Sequence, residues 1–255
     1  MKALLLAAGV GRRLGGANGD EPKALLRFGD QSLLERHVAA LASCGVSDLT
    51  IVVGHRASSI RAELARLSPT HRVQTIDNPR YREGSMVSLA CAAGLISDGD
   101  EILLMDADVL YDRRLLDRLL SAPHANCFLL DRDIEPGDEP VKLCIRGGVI
   151  VDFSKRPTAR HDWHGESVGF FRFAPAEAAA LARRAEAYAA GGGSALEYEA
   201  AIRDLVLAVP GRFGYADITG LPWVEIDFAE DIVRANREIM PRLVEAPDDA
   251  AGRAR

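Results

Sequence analysis

Short apolar runs alternate along the first half of the chain with stretches in which apolar residues recur at helical spacing. Runs such as 49–53 predict buried strands, whereas the helical spacing predicts amphipathic helices. Regular alternation of the two is typical of a mostly parallel sheet with helices on its faces. In this half, strands are predicted at residues 2–8, 49–53, 73–76 and 102–105, and helices at 58–67 and 86–95.

Two sequence patterns predict where helices begin. Ser32 precedes an apolar stripe and is followed by Glu35 in the spacing of a capping box, and Gly45 suits the left-handed end of that helix. Ser194 and Glu197 repeat the same spacing. A second capped helix is therefore expected to begin at Ser194.

The pattern changes after about residue 130. Two apolar segments flank Arg146-Gly147-Gly148, which predicts a β-hairpin. The predicted fold class is therefore α/β, with a mixed, mostly parallel sheet flanked by helices and a hairpin insertion in the C-terminal half. We expect one domain over residues 1–243 and a disordered tail at 244–255, because the tail has no apolar face to bury. The remaining predicted strands are 141–145, 149–153, 167–173, 212–218 and 223–226, and the remaining helices are 175–190 and 229–243.

Composition excludes several classes of protein. The net charge of −6 over 255 residues lacks the basic excess of a duplex-binding protein, so no nucleic-acid partner is expected. The four cysteines form no CxxC pair, which argues against a zinc site. No apolar run approaches the ~20 residues of a membrane helix, and the start of the chain does not fit a targeting signal. We expect a cytoplasmic protein without membrane insertion, and the sequence does not indicate its oligomeric state.

The strongest local signal for chemistry is a glycine-rich turn after the first strand, in the run Leu6-Ala7-Ala8-Gly9-Val10-Gly11-Arg12-Arg13, with Lys23 close behind. Glycines let backbone N–H groups approach phosphate oxygens, and arginine and lysine add positive charge for a triphosphate. The run is neither a Walker P-loop nor a complete dinucleotide fingerprint, since Leu14 stands where the last glycine would be.

Aspartates follow two of the predicted strands. Asp106 and Asp108 come at the carboxyl end of the strand 102–105, where open α/β sheets place ligands, and Asp227 precedes the last helix. Carboxylates there favour a metal site, although a turn aspartate at Asp108 and an N-cap at Asp227, with Glu230 after it, are the structural alternatives.

Other polar and aromatic residues carry weaker signals. His55, His161 and His164 show no metal-ligand spacing and are interpreted as solvent-facing. For Trp163 and Trp223, a place in the core is favoured over contact with a ligand. Lys142 and Glu166 are weaker candidates for an acceptor pocket. A quaternary ammonium group would need an aromatic face and a carboxylate, whereas an inositol phosphate would need polar donors. The sequence leaves both acceptors open.

The string Ala7-Ala8-Gly9-x-Gly11-x-Arg13, followed by Pro22-Lys23, resembles the signature of the sugar-phosphate nucleotidyltransferases and their alcohol-phosphate cytidylyltransferase relatives. Later segments are similar to those of the phosphocholine, inositol-1-phosphate and aminoethylphosphonate cytidylyltransferases. These segments are 78–79, 85–89, 106–108, 168–171 and 223–227.

The resemblance implies a Rossmann-like nucleotidyltransferase fold and transfer of a nucleoside monophosphate, CMP from CTP, onto a small phosphate or phosphonate with release of pyrophosphate. It implies catalytic roles for Arg13, Lys23, Asp108 and Asp227, and a Mg²⁺ ion held by the two aspartates. The nucleotide-binding candidates are Leu6, Ala7, Ala8, Gly9, Gly11, Arg12, Arg13, Lys23, Gly54, Ser85, Ser88 and Asp106, and the acceptor-binding candidates are Lys142, Glu166, Gly169 and Trp223.

The chemistry of such a transfer agrees with these residue types. Two anions must approach each other, so a divalent cation on carboxylates and a lysine or arginine would screen their repulsion. A sugar-1-phosphate nucleotidyltransferase using UTP or dTTP is the enzymatic alternative, although no Gln-Pro pair stands where Asn78-Pro79 does. A molybdopterin cytidylyltransferase is more distant, and a non-catalytic nucleotide-binding module is the alternative from another class.

Overall fold

The computed structural model describes residues 1–14, 20–67, 72–134 and 137–243. The predicted tail 244–255 and most of the loop before Asp20 lie outside the described residues. The strands are β1 (Lys2–Ala7), β2 (Arg27–Phe28), β3 (Gln31–Ser32), β4 (Asp48–Val53), β5 (Arg72–Asp77), β6 (Ile102–Asp106), β7 (Val109–Tyr111), β8 (Cys127–Asp131), β9 (Lys142–Arg146), β10 (Val149–Ser154), β11 (Trp163–Phe173), β12 (Gly214–Asp217) and β13 (Trp223–Glu225). The α-helices are α1 (Leu33–Ser43), α2 (Ala57–Leu67), α3 (Ser85–Cys91), α4 (Ala93–Ile96), α5 (Arg114–Ser121), α6 (Pro175–Ala190), α7 (Glu199–Ala208) and α8 (Ala229–Arg234).

The main sheet is mixed, and its parallel core is built from the four predicted N-terminal strands in the order β6-β1-β4-β5. In the second half, β12 also runs parallel to β8. Successive β1 side chains serve opposite faces: Leu4 lies in one buried cluster and Leu5 in another. Burial on both faces explains why β1 reads as a continuous apolar run and not as an alternating one.

The second half adds antiparallel strands to this parallel core. Strand β11 runs antiparallel to β6, β8 and β9, and β9 and β10 form the predicted hairpin across Gly147 and Gly148. The α/β class, the mixed sheet flanked by helices and the hairpin insertion are confirmed. Among the described helices, none is long and apolar enough to cross a bilayer.

One predicted helix start is confirmed and the other is wrong. The Ser32 hydroxyl accepts a hydrogen bond from the Glu35 N–H at 3.1 Å, and Gly45 has a φ of +76°. The later helix begins at Glu199 and not at Ser194. The carbonyl of Ser194 instead accepts the Gly84 N–H at 2.7 Å, so tertiary pairing with the start of α3 decides this segment.

Candidate active site

A cavity of about 800 Å³ lies at the carboxyl ends of β1 and β6. Parallel strands end at the same edge of a sheet, so the turns after β1 and β6 meet there, as ligand sites in open α/β sheets do. Residues of β11 and of the segment before α7 line the same cavity, and β11 pairs with β6. Most of the sequence-predicted site residues line this cavity: Leu6, Ala8, Gly9, Gly11, Arg12, Arg13, Lys23, Ser85, Asp106, Asp108, Glu166, Gly169, Trp223 and Asp227.

The turn after β1 brings glycine backbone against the lysine that follows it. Gly11 has a φ of +66°, and a Cβ there would lie 3.3 Å from the Lys23 side chain. Glycine at this position therefore satisfies both the left-handed backbone and the close approach. Ala7 is buried and lies beside a smaller recess next to Lys23.

Lys23 joins the two predicted metal-binding aspartates. Its ammonium lies 2.9 Å from Asp108 Oδ2 and 2.5 Å from Asp227 Oδ1, and the Arg13 guanidinium lies 2.7 Å from Asp227 Oδ2. Although burial disfavours the charged lysine, Asp108 and Asp227 raise the net pKa of Lys23 above its usual range. Burial opposes ionisation of Asp227 as well, yet Lys23 and Arg13 lower its pKa. Lys23 is therefore a cation and Asp227 an anion at neutral pH in this arrangement.

The N-cap alternative for Asp227 is wrong. The carboxylate that serves the start of α8 belongs to Asp231, whose Oδ2 accepts the N–H groups of Asp227 at 2.8 Å and Phe228 at 2.6 Å. Asp231 thereby leaves the Asp227 carboxylate free to turn toward Lys23.

A third carboxylate, Glu225, joins this group. One oxygen each from Asp108, Glu225 and Asp227 lie within 4.8 Å of one another. Removal from bulk water in the cleft, together with Asp108 and Asp227, raises the pKa of Glu225. Sequence reasoning missed it, although a spacing of two along an extended segment places Glu225 and Asp227 on one face. Three converging carboxylates suit a hard divalent cation.

Asp106 lies deeper than Asp108 and has a different partner. The Tyr198 hydroxyl donates to Asp106 Oδ2 at 2.6 Å. Burial and the nearby Asp108 raise the pKa of Asp106. Gly169 has a φ of +78°, and a Cβ on it would lie 2.2 Å from Asp106 Oδ2. The Asp106 carboxylate therefore fits only because position 169 has no side chain.

We expect Gly169→Ala to lower both stability and turnover. The left-handed backbone costs an alanine about 1–2 kcal/mol, and overlap with Asp106 adds about 1–3 kcal/mol. Gly148→Ala is the matched control, because Gly148 has a φ of +79° and open space where a Cβ would lie. Urea unfolding and steady-state kinetics of both variants check this. Equal stability losses with wild-type turnover in Gly169→Ala would show that the contact with Asp106 has no effect.

Glu166 and Asp131 are register partners on the adjacent strands β11 and β8, and both line the cavity. The Trp223 indole N–H donates to Asp131 Oδ2 at 2.7 Å, so this tryptophan is buried in the core and also lines the cavity. Burial and Asp131 raise the pKa of Glu166 to about 7.

Three predicted binding residues lie away from the cavity lining that the structure describes. The Lys142 ammonium approaches the carbonyls of Gly137 and Lys155 at 3.3 and 3.1 Å, so it fastens the loop after β8 to the hairpin. Gly54 packs its backbone against Tyr81 and Ala8. The Ser88 hydroxyl accepts a hydrogen bond from the Asn78 amide at 3.0 Å on the buried face of α3. In these three positions, packing within the fold accounts for the residue.

The interpretation of the histidines as solvent-facing needs correction. His55 is buried beside Asp20, with 3.1 Å between His55 Nε2 and Asp20 Oδ1. His161 and His164 are half-buried, with 3.1 Å between His161 Nε2 and His164 Nδ1. None of the three lines the cavity among the described residues.

Among the other cavity residues that sequence reasoning missed are Lys155, Tyr198 and Glu199. Lys155 follows the hairpin and forms ion pairs of 3.3 Å with Glu139 and Glu197. The wrong helix start at Ser194 placed Tyr198 and Glu199 in the second turn of a helix, whereas Glu199 is the first residue of α7 and Tyr198 precedes it. Burial raises the pKa of Glu199 to about 7.

Several known proteins align over nearly the whole chain. The chain is 28% identical over 254 residues to the CMP-5'-(3-aminopropyl)phosphonate synthase of Streptomyces rubellomurinus, covering 94% of this chain and 39% of that protein. It is 30% identical over 235 residues to the bifunctional IPC transferase and DIPP synthase of Rubrobacter xylanophilus, covering 90% of this chain and 50% of that protein. The chain thus spans half or less of the length of these two relatives.

The fold also has a solved counterpart. The inositol-1-phosphate CTP transferase from T. maritima matches with a TM-score of 0.73 at 17% identity, covering 96% of this chain and 98% of that one. This likeness confirms the predicted Rossmann-like nucleotidyltransferase fold. The MobA-like NTP transferase domain matches residues 3–195, which include the glycine turn, Lys23, Asp106 and Asp108. Because that match extends from β1 to the segment before α7, the chain belongs to the family of MobA-like NTP transferase domains.

Proposed function

We propose that this protein is a CTP-dependent cytidylyltransferase that transfers CMP to a small phosphate or phosphonate and releases pyrophosphate. The observation that carries the proposal is Lys23, held between Asp108 and Asp227 beneath the glycine turn and next to Arg13. The names of both relatives, a CMP-phosphonate synthase and an IPC transferase, support it.

The turn after β1 would hold the triphosphate. Gly9 and Gly11 have no Cβ, so phosphate oxygens could approach the backbone N–H groups of the turn. Arg12 and Arg13 supply positive charge in the same cavity. Lys23 would then stabilise the charge that grows on the pyrophosphate as it leaves. An acceptor oxygen forms a bond to the α-phosphorus while the bond from that phosphorus to the bridging oxygen breaks, and pyrophosphate keeps the electron pair.

The acceptor phosphate is already an anion, so the reaction requires no general base. What the site must supply is in-line placement of two anions and neutralisation of their charge. Asp108, Glu225 and Asp227 would hold a Mg²⁺ ion, since their oxygens converge within 4.8 Å and carboxylate oxygen is the ligand that Mg²⁺ prefers. Bound there, the ion would neutralise phosphate charge.

A pyrophosphate-release assay with four nucleoside triphosphates and a panel of acceptors tests the proposal. Cytosine presents an amine donor and a ring-nitrogen acceptor where uracil presents a carbonyl and an N–H, so a base pocket that pairs with both atoms rejects the wrong base. We expect CTP to be preferred over UTP by at least about tenfold, or ~1.4 kcal/mol.

Two outcomes of that assay would overturn the proposal. Preference for UTP or dTTP with glucose-1-phosphate would identify a sugar-1-phosphate nucleotidyltransferase. CTP binding without pyrophosphate release for any acceptor would identify a non-catalytic nucleotide-binding module.

A further inference from the structure

One residue in the turn between β4 and α2 contacts both ends of the segment that connects β1 to Lys23. The backbone N–H of His55 donates to the carbonyl of Ala8, where the glycine turn begins, with 3.1 Å between the two atoms. The imidazole of His55 lies against Asp20, shortly before Lys23 in the chain. His55 Nε2 is 3.1 Å from the backbone oxygen of Asp20 and 3.1 Å from its Oδ1 atom. His55 therefore connects the beginning of this segment to its end.

The imidazole is the donor in its contact with Asp20. The backbone carbonyl of Asp20 can only accept a hydrogen bond, and its carboxylate, whose pKa Arg56 lowers, accepts as well. Nε2 of His55 therefore carries a hydrogen that points at these two oxygens. The His55 side chain is only 10% exposed, so loss of both acceptors would leave a buried donor without a partner, which is costly.

Arg56 adds a second contact from the same turn. Its Nε and Nη2 atoms both donate to Asp20 Oδ2, at 3.1 and 2.8 Å. Within the part of the chain that the structure describes, Asp20 and Arg56 are the only residues other than glycine with a positive φ, +66° and +45°. Two segments thus adopt an unfavourable backbone conformation where they meet. Such conformations persist when the surrounding contacts fix them, commonly beside functional sites.

The buried imidazole distinguishes this group from an ordinary surface ion pair. The side chains of Asp20 and Arg56 are 58% and 50% exposed, and exposed pairs contribute little to stability. The ring of His55, in contrast, is buried and also packs against Tyr81, with 6.0 Å between the ring centroids. Tyr81 lines the cavity, so His55 supports the cavity through this ring as well as through the segment before Lys23.

We infer that Asp20, His55 and Arg56 form a latch that holds the segment before Lys23 in place for the triphosphate, with His55 as the positioning residue. The inference rests on the proposed cytidylyltransferase function and adds residues that act through Lys23 and the glycine turn. None of the three residues of the latch is among the described residues that line the cavity, so the latch does not touch the reacting atoms. A short helical turn over Lys23–Leu25 follows directly and carries the lysine into the site.

The latch is expected to change the affinity for the nucleotide and not the rate of the bound complex. When only a fraction of the molecules is competent to bind, the apparent dissociation constant rises by the inverse of that fraction. Loss of one buried hydrogen bond lowers the competent fraction on the order of tenfold. Once CTP is bound, its phosphates hold the glycine turn and Lys23 in place, so kcat is retained.

Substitutions of His55 in the full chain test the inference. His55→Phe keeps a buried ring and the backbone bond to Ala8 but removes the Nε2 donor. We expect the Kd for CTP, measured by calorimetry, and the KM for CTP to rise about tenfold, with kcat within about twofold of the wild-type value. His55→Gln places an amide N–H where Nε2 lies and is expected to restore both constants to within about threefold of wild type.

His161→Phe is the matched control. It is the same substitution at a half-buried histidine that does not line the cavity among the described residues. The Kd and KM for CTP should stay at their wild-type values. Urea unfolding of both phenylalanine variants shows whether either substitution lowers the stability of the whole protein.

Amide hydrogen exchange in the absence of nucleotide tests the latch without the reaction. The Leu25 and Leu26 N–H groups donate to the carbonyls of Pro22 and Lys23 at 2.8 and 3.0 Å, so their exchange reports on the segment that the latch holds. We expect both to exchange at least about fivefold faster in His55→Phe, while the amides of α1 exchange at the wild-type rate.

Asp20→Asn is a second variant on the surface, where folding does not depend on a buried ring. Asparagine suits the left-handed backbone and removes the charge that Arg56 contacts. It is expected to raise the KM for CTP about threefold. Should His55→Phe fail to fold, a rise in this variant supports the latch and a wild-type KM overturns it.

The failures of the two proposals are distinguishable. Wild-type affinity for CTP and wild-type hydrogen exchange in folded His55→Phe overturn the latch and leave the cytidylyltransferase in place. A lower kcat at unchanged KM, together with easier unfolding in urea, shows a purely structural role and also overturns the latch. Absence of pyrophosphate release with every acceptor overturns the proposed function, and the exchange rates together with the Kd for CTP then still decide the latch.

Discussion

Asp227→Asn is expected to lower kcat on the order of a thousandfold, equivalent to ~4 kcal/mol of transition-state stabilisation. Asparagine keeps the size of the side chain but removes the charge that pairs with Lys23 at 2.5 Å and Arg13 at 2.7 Å and that would bind a divalent cation. Folding should survive, because the helix cap comes from Asp231. Pyrophosphate release at saturating CTP and magnesium measures the effect.

The control for this substitution is Asp30→Asn in the exposed turn between β2 and β3, which removes the same charge at a residue that does not line the cavity. It should leave kcat at the wild-type value. A folded Asp227→Asn protein with wild-type kcat would end the assignment of Asp227 to the reaction. A loss of the same size in Asp108→Asn would support a shared cation.

Lys23→Ala is expected to reduce kcat/KM on the order of a hundredfold or more, because each charge-assisted contact contributes roughly 1.5–3 kcal/mol. Lys23 is 15% exposed and forms two such contacts, and its loss leaves Asp108, Glu225 and Asp227 without their neutralising ammonium. Turnover should therefore fall by a larger factor than would follow from weakened CTP binding alone.

Lys2→Ala is the matched control, because Lys2 lies at the other end of β1 and pairs with Asp98 and Asp100 on the surface. It should change neither kcat nor the KM for CTP. Wild-type kinetics in Lys23→Ala would remove the lysine from the phosphate site. Comparison of urea unfolding for the two variants separates a catalytic effect from a general loss of stability.

The sequence predicted those site residues that come directly after a buried strand in the chain. The glycine turn after β1 and the aspartates after β6 come directly behind buried apolar runs, and parallel strands deliver such residues to one edge. Gly9, Gly11, Lys23 and Asp108 meet in the cavity for this reason. Their chemistry could be inferred because it depends on the residue type and on the local backbone geometry, and both can be predicted from nearby residues.

Residues whose role depends on a distant partner could not be assigned in this way. Ser194 and Glu197 have the spacing of a capping box, but backbone pairing of Ser194 with Gly84 outweighs it. The Ser88 hydroxyl faces Asn78 and not the cavity. The Lys142 ammonium contacts the backbone carbonyls of Gly137 and Lys155. Each outcome depends on contacts between segments far apart in the chain.

By itself, the sequence determined the α/β class, the four parallel strands of the N-terminal half, the hairpin, and the glycine turn with its lysine and aspartates, whereas β7, β8 and α5 were not predicted. These features depend on periodicity and on neighbours within a few residues, which the chain displays directly. Only the tertiary structure decided that Asp227 turns to Lys23 while Asp231 caps the helix, that Glu225 joins the two aspartates, and that Glu166, Asp131 and Glu199 line the same cavity. These residues meet because strands from both halves of the chain pack together, and the spacing of residues along the sequence does not show which distant segments will meet.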